Sequence, residues 1–116
     1  MKFNATETII NILLSNADIK TRTNGDIRPV VARYGAQIPY IVVSTENSEV
    51  RHTKLGGFAG ITSDVVLTVV ADTYEAVRYL TDVICDMQGS AFEVQSYKED
   101  YGDDKYVVLI GIRIEQ

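Results

Sequence analysis

Apolar residues along the chain repeat with two different periods, and each period predicts one kind of element. Near the N-terminus they recur every three or four positions, which predicts a helix that starts after Asn4 and fails at "SNAD". The apolar positions of this helix are Ile9, Ile10, Leu13, Leu14 and Ala17. A second stripe follows "ADTYEA" and predicts a helix that ends near Gly89. Its positions are Ala76, Val77, Leu80, Val83, Ile84 and Met87.

Polar residues before each stripe have the spacing of helix caps. Asn4 and Glu7 precede the first helix, and Asp72 and Glu75 precede the second. An N-cap residue and an acid three positions later satisfy backbone groups at the start of a helix. We therefore interpret Asp72 as an N-cap and Glu75 as its reciprocal partner, rather than as an acid–base pair.

Short runs of β-branched residues predict the strands. "PYIVVST", Pro39–Thr45, and "SDVVLTVVA", Ser63–Ala71, have the length and composition of strands. A shorter strand is predicted over Ile27–Arg33, where Pro29 restricts it to an edge or a strand start. At the C-terminus, "FEVQSYKED" and "KYVVLIGIRIE" flank "YGDD", which predicts a β-hairpin with a glycine turn.

Two polar segments separate these elements. "TNGD", Thr23–Asp26, is predicted to be a turn, because Asn-Gly is suited to positive φ. The glycine-containing run between Glu46 and Ile61 is predicted to be a long connection or a mobile hairpin tip.

The order of elements predicts a single α+β domain over residues 1–116. Its mostly antiparallel sheet has two helices packed on one face and ends in a C-terminal β-hairpin. Four further apolar residues fall on the second face, and they exceed what a solvated face needs. They are Val66, Val70, Val107 and Leu109. We expect a second layer or a neighbouring subunit to cover them.

The composition and net charge of the chain limit the kinds of partner that it can bind. The chain has 116 residues, of which 46% are hydrophobic and 23% charged, which suits one folded core. Its net charge of −5 argues against sequence-specific or general nucleic-acid binding, since that affinity comes from phosphate neutralisation. The N-terminal apolar stretch is too short and interrupted to enter a membrane, and it lacks a signal-peptide cleavage site. We expect a protein that folds in a cytoplasm.

The candidate reactive residues do not form a recognisable constellation. His52 and Cys85 are the single histidine and the single cysteine, whereas a zinc site needs several such ligands. "LGGFAG", Leu55–Gly60, lacks the ending and the following helix of a phosphate-binding loop. We predict no catalytic residue, no metal and no cofactor. Five tyrosines are predicted to be core or interface residues: Tyr74, Tyr79, Tyr97, Tyr101 and Tyr106.

Three features in this order resemble the small tail-completion proteins of tailed bacteriophages, a family that includes head-to-tail joining and tail-terminator proteins. They are an N-terminal helix, the strand "PYIVVST", and a strand that ends in "ADTY" before an Ala- and Leu-bearing helix. By position, Pro39, Tyr40 and Ala71–Tyr74 match motifs of this family as scaffold residues. The resemblance covers nearly the whole chain.

The resemblance implies a structural virion protein of a phage or prophage, not an enzyme. Such proteins form a homo-oligomeric ring, commonly a hexamer, at the head-proximal end of the tail. The implied partners are the tail tube protein and head connector proteins. The implied location is the tail or neck of the virion, with the host cytoplasm as the place of assembly. The resemblance leaves open a tail-terminator role and a head-side joining role.

The residues expected at subunit or partner interfaces lie in the polar run and on the second face of the sheet. They are Arg51, His52, Lys54, Phe58, Val66, Val70, Val107 and Leu109. Two alternatives stay open. One is a non-phage α+β adaptor module that recognises a protein or a small ligand. The other is a small enzyme that uses Asp72, Glu75 or His52, which would need a deep pocket gathering these side chains.

Overall fold

The computed structural model describes residues 4–32, 34–89 and 91–116, without the side chain of Phe58. Within these ranges the chain forms three helices and five strands. The helices are α1 (Ala5–Leu14), α2 (Ala17–Thr23) and α3 (Tyr74–Asp86). The strands are β1 (Ile27–Pro29), β2 (Tyr40–His52), β3 (Phe58–Ala71), β4 (Glu93–Gly102) and β5 (Lys105–Glu115).

The strands form one sheet in the order β1-β2-β3-β5-β4. Every neighbouring pair is antiparallel except β1 and β2, which are parallel. Helix α1 packs on β1 and β2, and α3 packs on β3 and β5. The predicted α+β class is therefore confirmed, as is the C-terminal hairpin. Strand β1 lies at the sheet edge, as Pro29 predicts, although the strand is shorter than expected. Arg33, the predicted end of that strand, lies outside the described residues.

The core lies between the helices and one face of the sheet, here called the inner face. Alternate residues of each central strand point to it, because successive strand side chains face opposite sides. In β5 these residues are Val108, Ile110, Ile112 and Ile114, all buried as the alternation predicts. From the helices, Ile9 and Leu13 of α1 meet Leu80 and Ile84 of α3 in the same apolar cluster. The two predicted helices thus pack on one face.

Helix α2 is a feature that the hydrophobic pattern does not predict. The first helix does end at "SNAD", but Asn16 in that segment begins a new helix. Its side-chain oxygen accepts hydrogen bonds from the backbone N–H groups of Asp18 at 3.0 Å and Ile19 at 3.1 Å. Asn4 occupies the predicted N-cap position of α1, but its side chain makes no capping hydrogen bond. The "TNGD" turn is confirmed, with φ of 53° at Asn24 and 72° at Gly25.

The N-cap of α3 is Thr73, so the prediction of Asp72 is wrong by one residue. Thr73 has extended backbone angles, and its hydroxyl oxygen accepts a hydrogen bond from the N–H of Ala76 at 3.1 Å. Asp72 is exposed, and Glu75 lies in the first turn, where a negative charge suits the positive end of the helix dipole.

Replacing Thr73 with alanine is expected to lower the free energy of unfolding by about 1 kcal/mol, because it removes the cap. Asp72→Ala is the matched control and should have a smaller effect, since Asp72 contributes only through the helix dipole. Urea denaturation followed by circular dichroism measures both. A larger loss for Asp72→Ala would restore Asp72 as the cap.

Most of the polar run between Glu46 and Ile61 is strand, which corrects its prediction as a connection. Strands β2 and β3 continue pairing as far as His52 and Phe58, and only Thr53–Gly57 form the turn. The predicted hairpin tip is therefore real but short. The long hairpin contributes to an elongated shape of 53 × 27 × 27 Å.

The turn of the β4–β5 hairpin also differs from the prediction. Gly102 pairs with Lys105 in the ladder, and the turn residues are Asp103 and Asp104. Both have positive φ, 53° and 60°. Two consecutive residues of positive φ match the strand twist of a two-residue hairpin, and aspartate tolerates this conformation. The turn is therefore formed by aspartates and not by the glycine.

Candidate assembly surfaces

The second face of the sheet, here called the outer face, brings together the four apolar residues predicted there. Val70 lies opposite Val107, Thr68 opposite Leu109, and Val66 opposite Gly111. Strand β2 adds Val42, which pairs with Thr68. Val66, Val107 and Leu109 are half-buried and Val70 is only 5% exposed. The core cluster to which the helices contribute does not include Val66, Val107 or Leu109 among the described residues.

Charged residues border this apolar face. At one end, Arg113 donates a hydrogen bond to the carboxylate of Asp64 at 3.0 Å. Along β4, Lys98 pairs with Leu109 and Asp100 pairs with Val107. A groove of about 380 Å³ lies beside Val66, Leu109 and Gly111. An apolar centre with a charged rim is typical of protein interfaces.

The tip of the β2–β3 hairpin, residues 51–57, is a second exposed surface. Arg51, His52 and Lys54 are all exposed there, and Leu55 is 99% exposed. The turn is closed by the hydroxyl of Thr53, which accepts a hydrogen bond from the N–H of Gly57 at 2.9 Å. The fourth residue predicted in this region, Phe58, has a side chain that lies outside the described part of the structure. The hairpin tip is thus basic, with one apolar side chain.

A groove between the start of α3 and the β4–β5 hairpin is a surface that the sequence patterns do not locate. It has a volume of about 390 Å³ and is here called the tyrosine groove. Its aromatic residues are Tyr74, Tyr101 and Tyr106, with ring centroids 5.9 Å apart for Tyr74 and Tyr106 and 4.8 Å apart for Tyr101 and Tyr106. Glu99 and Asp100 line the same groove. It therefore combines aromatic faces with carboxylates.

The three tyrosines come together through sheet register. Tyr106 pairs with Ala71 on β3 and with Tyr101 on β4, while Tyr74 begins the helix that follows β3. Tyrosines at interfaces were predicted, but their meeting in one groove depends on pairing between distant segments. The composition of "ADTYEA" alone holds no sign of that pairing.

The Glu99 carboxylate, as a hydrogen-bond acceptor for the phenol of Tyr74, is the main cause that raises the pKa of Tyr74, followed by desolvation. A similar bond to Asp18 raises the pKa of Tyr79. Both bonds stabilise the neutral phenol. Their contribution to stability is therefore present below the ordinary tyrosine pKa of about 10 and is lost as the pH rises through the raised value.

Replacing Glu99 with glutamine is expected to shift the ionisation of Tyr74 to lower pH, because the negative acceptor is removed. Tyrosinate absorbance during an alkaline titration measures this shift. Asp18→Asn is the matched control and should affect Tyr79 but leave Tyr74 unchanged. Identical titrations for the parent chain and the Glu99 variant would contradict the hydrogen bond.

The residues of the enzyme alternative are not gathered in one place. His52 lies at the hairpin tip, where it pairs with Phe58, whereas Asp72 follows the opposite end of β3 at Ala71. The 14 residues of β3 place these ends about 40 Å apart. Burial raises the pKa of the Cys85 thiol, which disfavours the reactive thiolate.

The described residues contain neither a cluster of metal ligands nor a helix of membrane-spanning length. No group of three or more histidine, cysteine, aspartate or glutamate side chains in the described ranges could hold a metal ion. Within the same ranges, none of the helices is long and apolar enough to cross a membrane.

Comparison with known proteins identifies a shared fold. No protein-family model matches the sequence, and no curated protein matches it significantly. Among solved structures, a chain from the virion of a native gene transfer agent particle superposes with a TM-score of 0.72. The match covers 96% of this chain and 92% of that chain at 15% sequence identity. At this identity the likeness establishes the fold, and it extends over nearly the full length of both chains.

Proposed function

We propose that this chain is a structural protein of a phage-like virion. It forms a ring at the head-proximal end of the tail, where it completes the tail and joins it to the head. The observation that carries the proposal is the fold shared with a chain of a gene transfer agent virion over almost all of both chains. The resemblance of "PYIVVST" and "ADTYEA" to tail-completion proteins points to the same class.

The outer face supports self-association as part of this proposal. Its apolar centre at Val66, Val107 and Leu109 would stay partly wet in a monomer. A subunit in a ring covers such a surface with its neighbour. The family resemblance gives six as the number of copies to test.

The charge of the chain suits a channel through which DNA passes. A net charge of −5 repels phosphates and gives no affinity for the backbone of a nucleic acid. In this proposal the tail tube protein and the head connector proteins are the partners, and the protein contacts them by protein surfaces alone.

Electron microscopy of assembled particles tests the proposal. The expected result is a ring of density for this chain between the head and the tail tube, confirmed by labelling of an added tag. Particles without the chain should separate into heads and unjoined tails, and supplying the chain should restore joining. Complete, joined particles without this chain would contradict the proposed function.

A further inference from the structure

We propose that the basic hairpin tip of one copy binds in the tyrosine groove of the next copy. This inference rests on the proposed function, because it names a contact that would hold neighbouring subunits of the ring together. It assigns a role to Arg51 and Lys54, which the outer face does not use. It also assigns an occupant to the groove formed by Tyr74, Tyr101 and Tyr106.

The two surfaces lie at opposite ends of the molecule. Strands β3 and β5 are antiparallel, with Thr62 paired to Glu115 and Ala71 paired to Tyr106. The β2–β3 turn therefore lies beyond one end of this ladder, and the tyrosine groove lies at the other. The long dimension of the molecule is 53 Å. A copy cannot place its own tip in its own groove, so the occupant must be a second copy.

The chemistry of the tip matches that of the groove. Arg51 and Lys54 are exposed cations, and the groove offers aromatic faces to which cations bind. Glu99 and Asp100 supply carboxylates beside those rings. Leu55, 99% exposed at the tip, would lie against the part of the groove beside the half-buried Val107. The contact would bury an apolar side chain together with paired charges.

The surrounding charges reinforce this pairing. Four further acids lie at the groove end of the molecule, and they increase its negative potential: Asp72, Glu75, Asp103 and Asp104. The neighbouring cation on α3, Arg78, is paired with Asp82 at 3.0 Å. Glu99 and Asp100 are both exposed, so cations from outside can reach their carboxylates. Opposite potentials at the two ends steer copies into a head-to-tail encounter.

A tip-to-groove contact uses two different surfaces of the same chain. Such a heterologous contact produces a ring when the rotation between copies closes, and an open chain when it does not. Every copy then presents one tip and one groove, so all of them are occupied only when the ring is closed.

Charge reversal on each side tests the contact. The tip variant is Arg51→Glu with Lys54→Glu, and the groove variant is Glu99→Lys with Asp100→Lys. Each variant alone opposes like charges, so self-association should weaken by about 100-fold. In an equal mixture, each reversed tip meets a reversed groove and each native tip meets a native groove. Association should then recover to within about tenfold of the parent chain. Sedimentation velocity measures all four samples.

Matched controls separate the contact from general charge effects. Lys20, an exposed lysine on α2, gives Lys20→Glu as a control for Lys54→Glu alone, with the same change in net charge. Lys20→Glu should leave the strength of self-association within about twofold of that of the parent chain. Lys54→Glu alone should weaken it about tenfold. Circular dichroism should show that all variants remain folded, because the replaced side chains are exposed.

Three results would overturn the contact. The first is unchanged self-association in both double variants. The second is a loss of self-association in both variants that mixing does not restore. The third is a parent chain that remains monomeric at about 1 mM. Particle microscopy keeps this test distinct from that of the proposed function. A ring seen in particles without recovery on mixing removes the contact and leaves the function. Recovery on mixing, without a ring in particles, supports the contact and contradicts the proposed function.

Discussion

Replacing Leu67 with alanine is expected to lower the free energy of unfolding by about 2–5 kcal/mol. Leu67 is fully buried in β3, the central strand of the sheet, and points to the inner face between both helices. The substitution loses the transfer energy of the side chain and leaves a cavity that a rigid sheet cannot close. Since small domains are stable by about 5–15 kcal/mol, this single change removes much of the total.

Thr68→Ala is the matched control, because Thr68 neighbours Leu67 on the same strand and points to the outer face. Thr68 is only half-buried, so its loss should cost less than about 1 kcal/mol. Urea denaturation of both variants at a concentration where the chain is monomeric measures the difference. Equal losses would mean that the outer face also carries a packed layer within one chain.

The second large effect is expected at the outer face, where Leu109→Asp should abolish ring assembly while the chain stays folded. An aspartate here would have to lose its hydration at a subunit contact, which is costly without a partner. Within one chain the same aspartate lies opposite Lys98, and this cross-strand pair of opposite charges favours the folded monomer. Self-association should weaken by about 100-fold or more.

Val31→Asp is the control for this variant, since Val31 is 71% exposed and lies in the connection after β1. It should leave assembly unchanged. Sedimentation velocity and incorporation into particles measure both variants, and thermal unfolding reports whether each is folded. A Leu109 variant that assembles as tightly as the parent chain would exclude the outer face from the ring interface.

The parts of the fold that follow from sequence are those in which a periodic apolar stripe meets the core. Helices α1 and α3 and the inner residues of β5 are of this kind, as is the edge position of Pro29. Helix α2 has seven residues and one fully buried apolar side chain, Ile19, so no stripe can develop. In the sequence, only the capping residue Asn16 indicates α2, and an asparagine at this position is equally typical of the end of a helix.

The predicted lengths of β2 and β3 were too short, for a different physical reason. The distal parts of β2 and β3 pair through backbone hydrogen bonds and polar side chains, including a hydroxyl contact between Ser48 and Ser63 at 2.8 Å. Their alternation is also interrupted by a register shift between Thr45 and Asn47. The hydrophobic pattern does not predict the distal part of β2, because most of its side chains are exposed.

The candidate surfaces also differ in whether the sequence alone predicts them. Part of the outer face could be predicted, since alternation places Val66 and Val70 on one side of β3, and Val107 and Leu109 on one side of β5. The tyrosine groove could not, since it depends on which strands become neighbours. "ADTYEA" carries a helix cap at Thr73 and one wall of a groove at Tyr74. Of these two roles, only the helix cap depends on residues that are close together in the sequence.

The long β2–β3 hairpin has a consequence for how such chains can diverge. A strand rises by about 3.3 Å per residue, and side chains alternate between faces. Removing two residues from each strand would therefore shorten the hairpin by about 7 Å and keep every remaining side chain on its original face. Removing one from each strand would turn the side chains between the deletion and the turn to the opposite face. The distance that the hairpin spans can thus change only in steps of about 7 Å, and the proposed tip-to-groove contact would turn these steps into a discrete series of spacings between neighbouring copies.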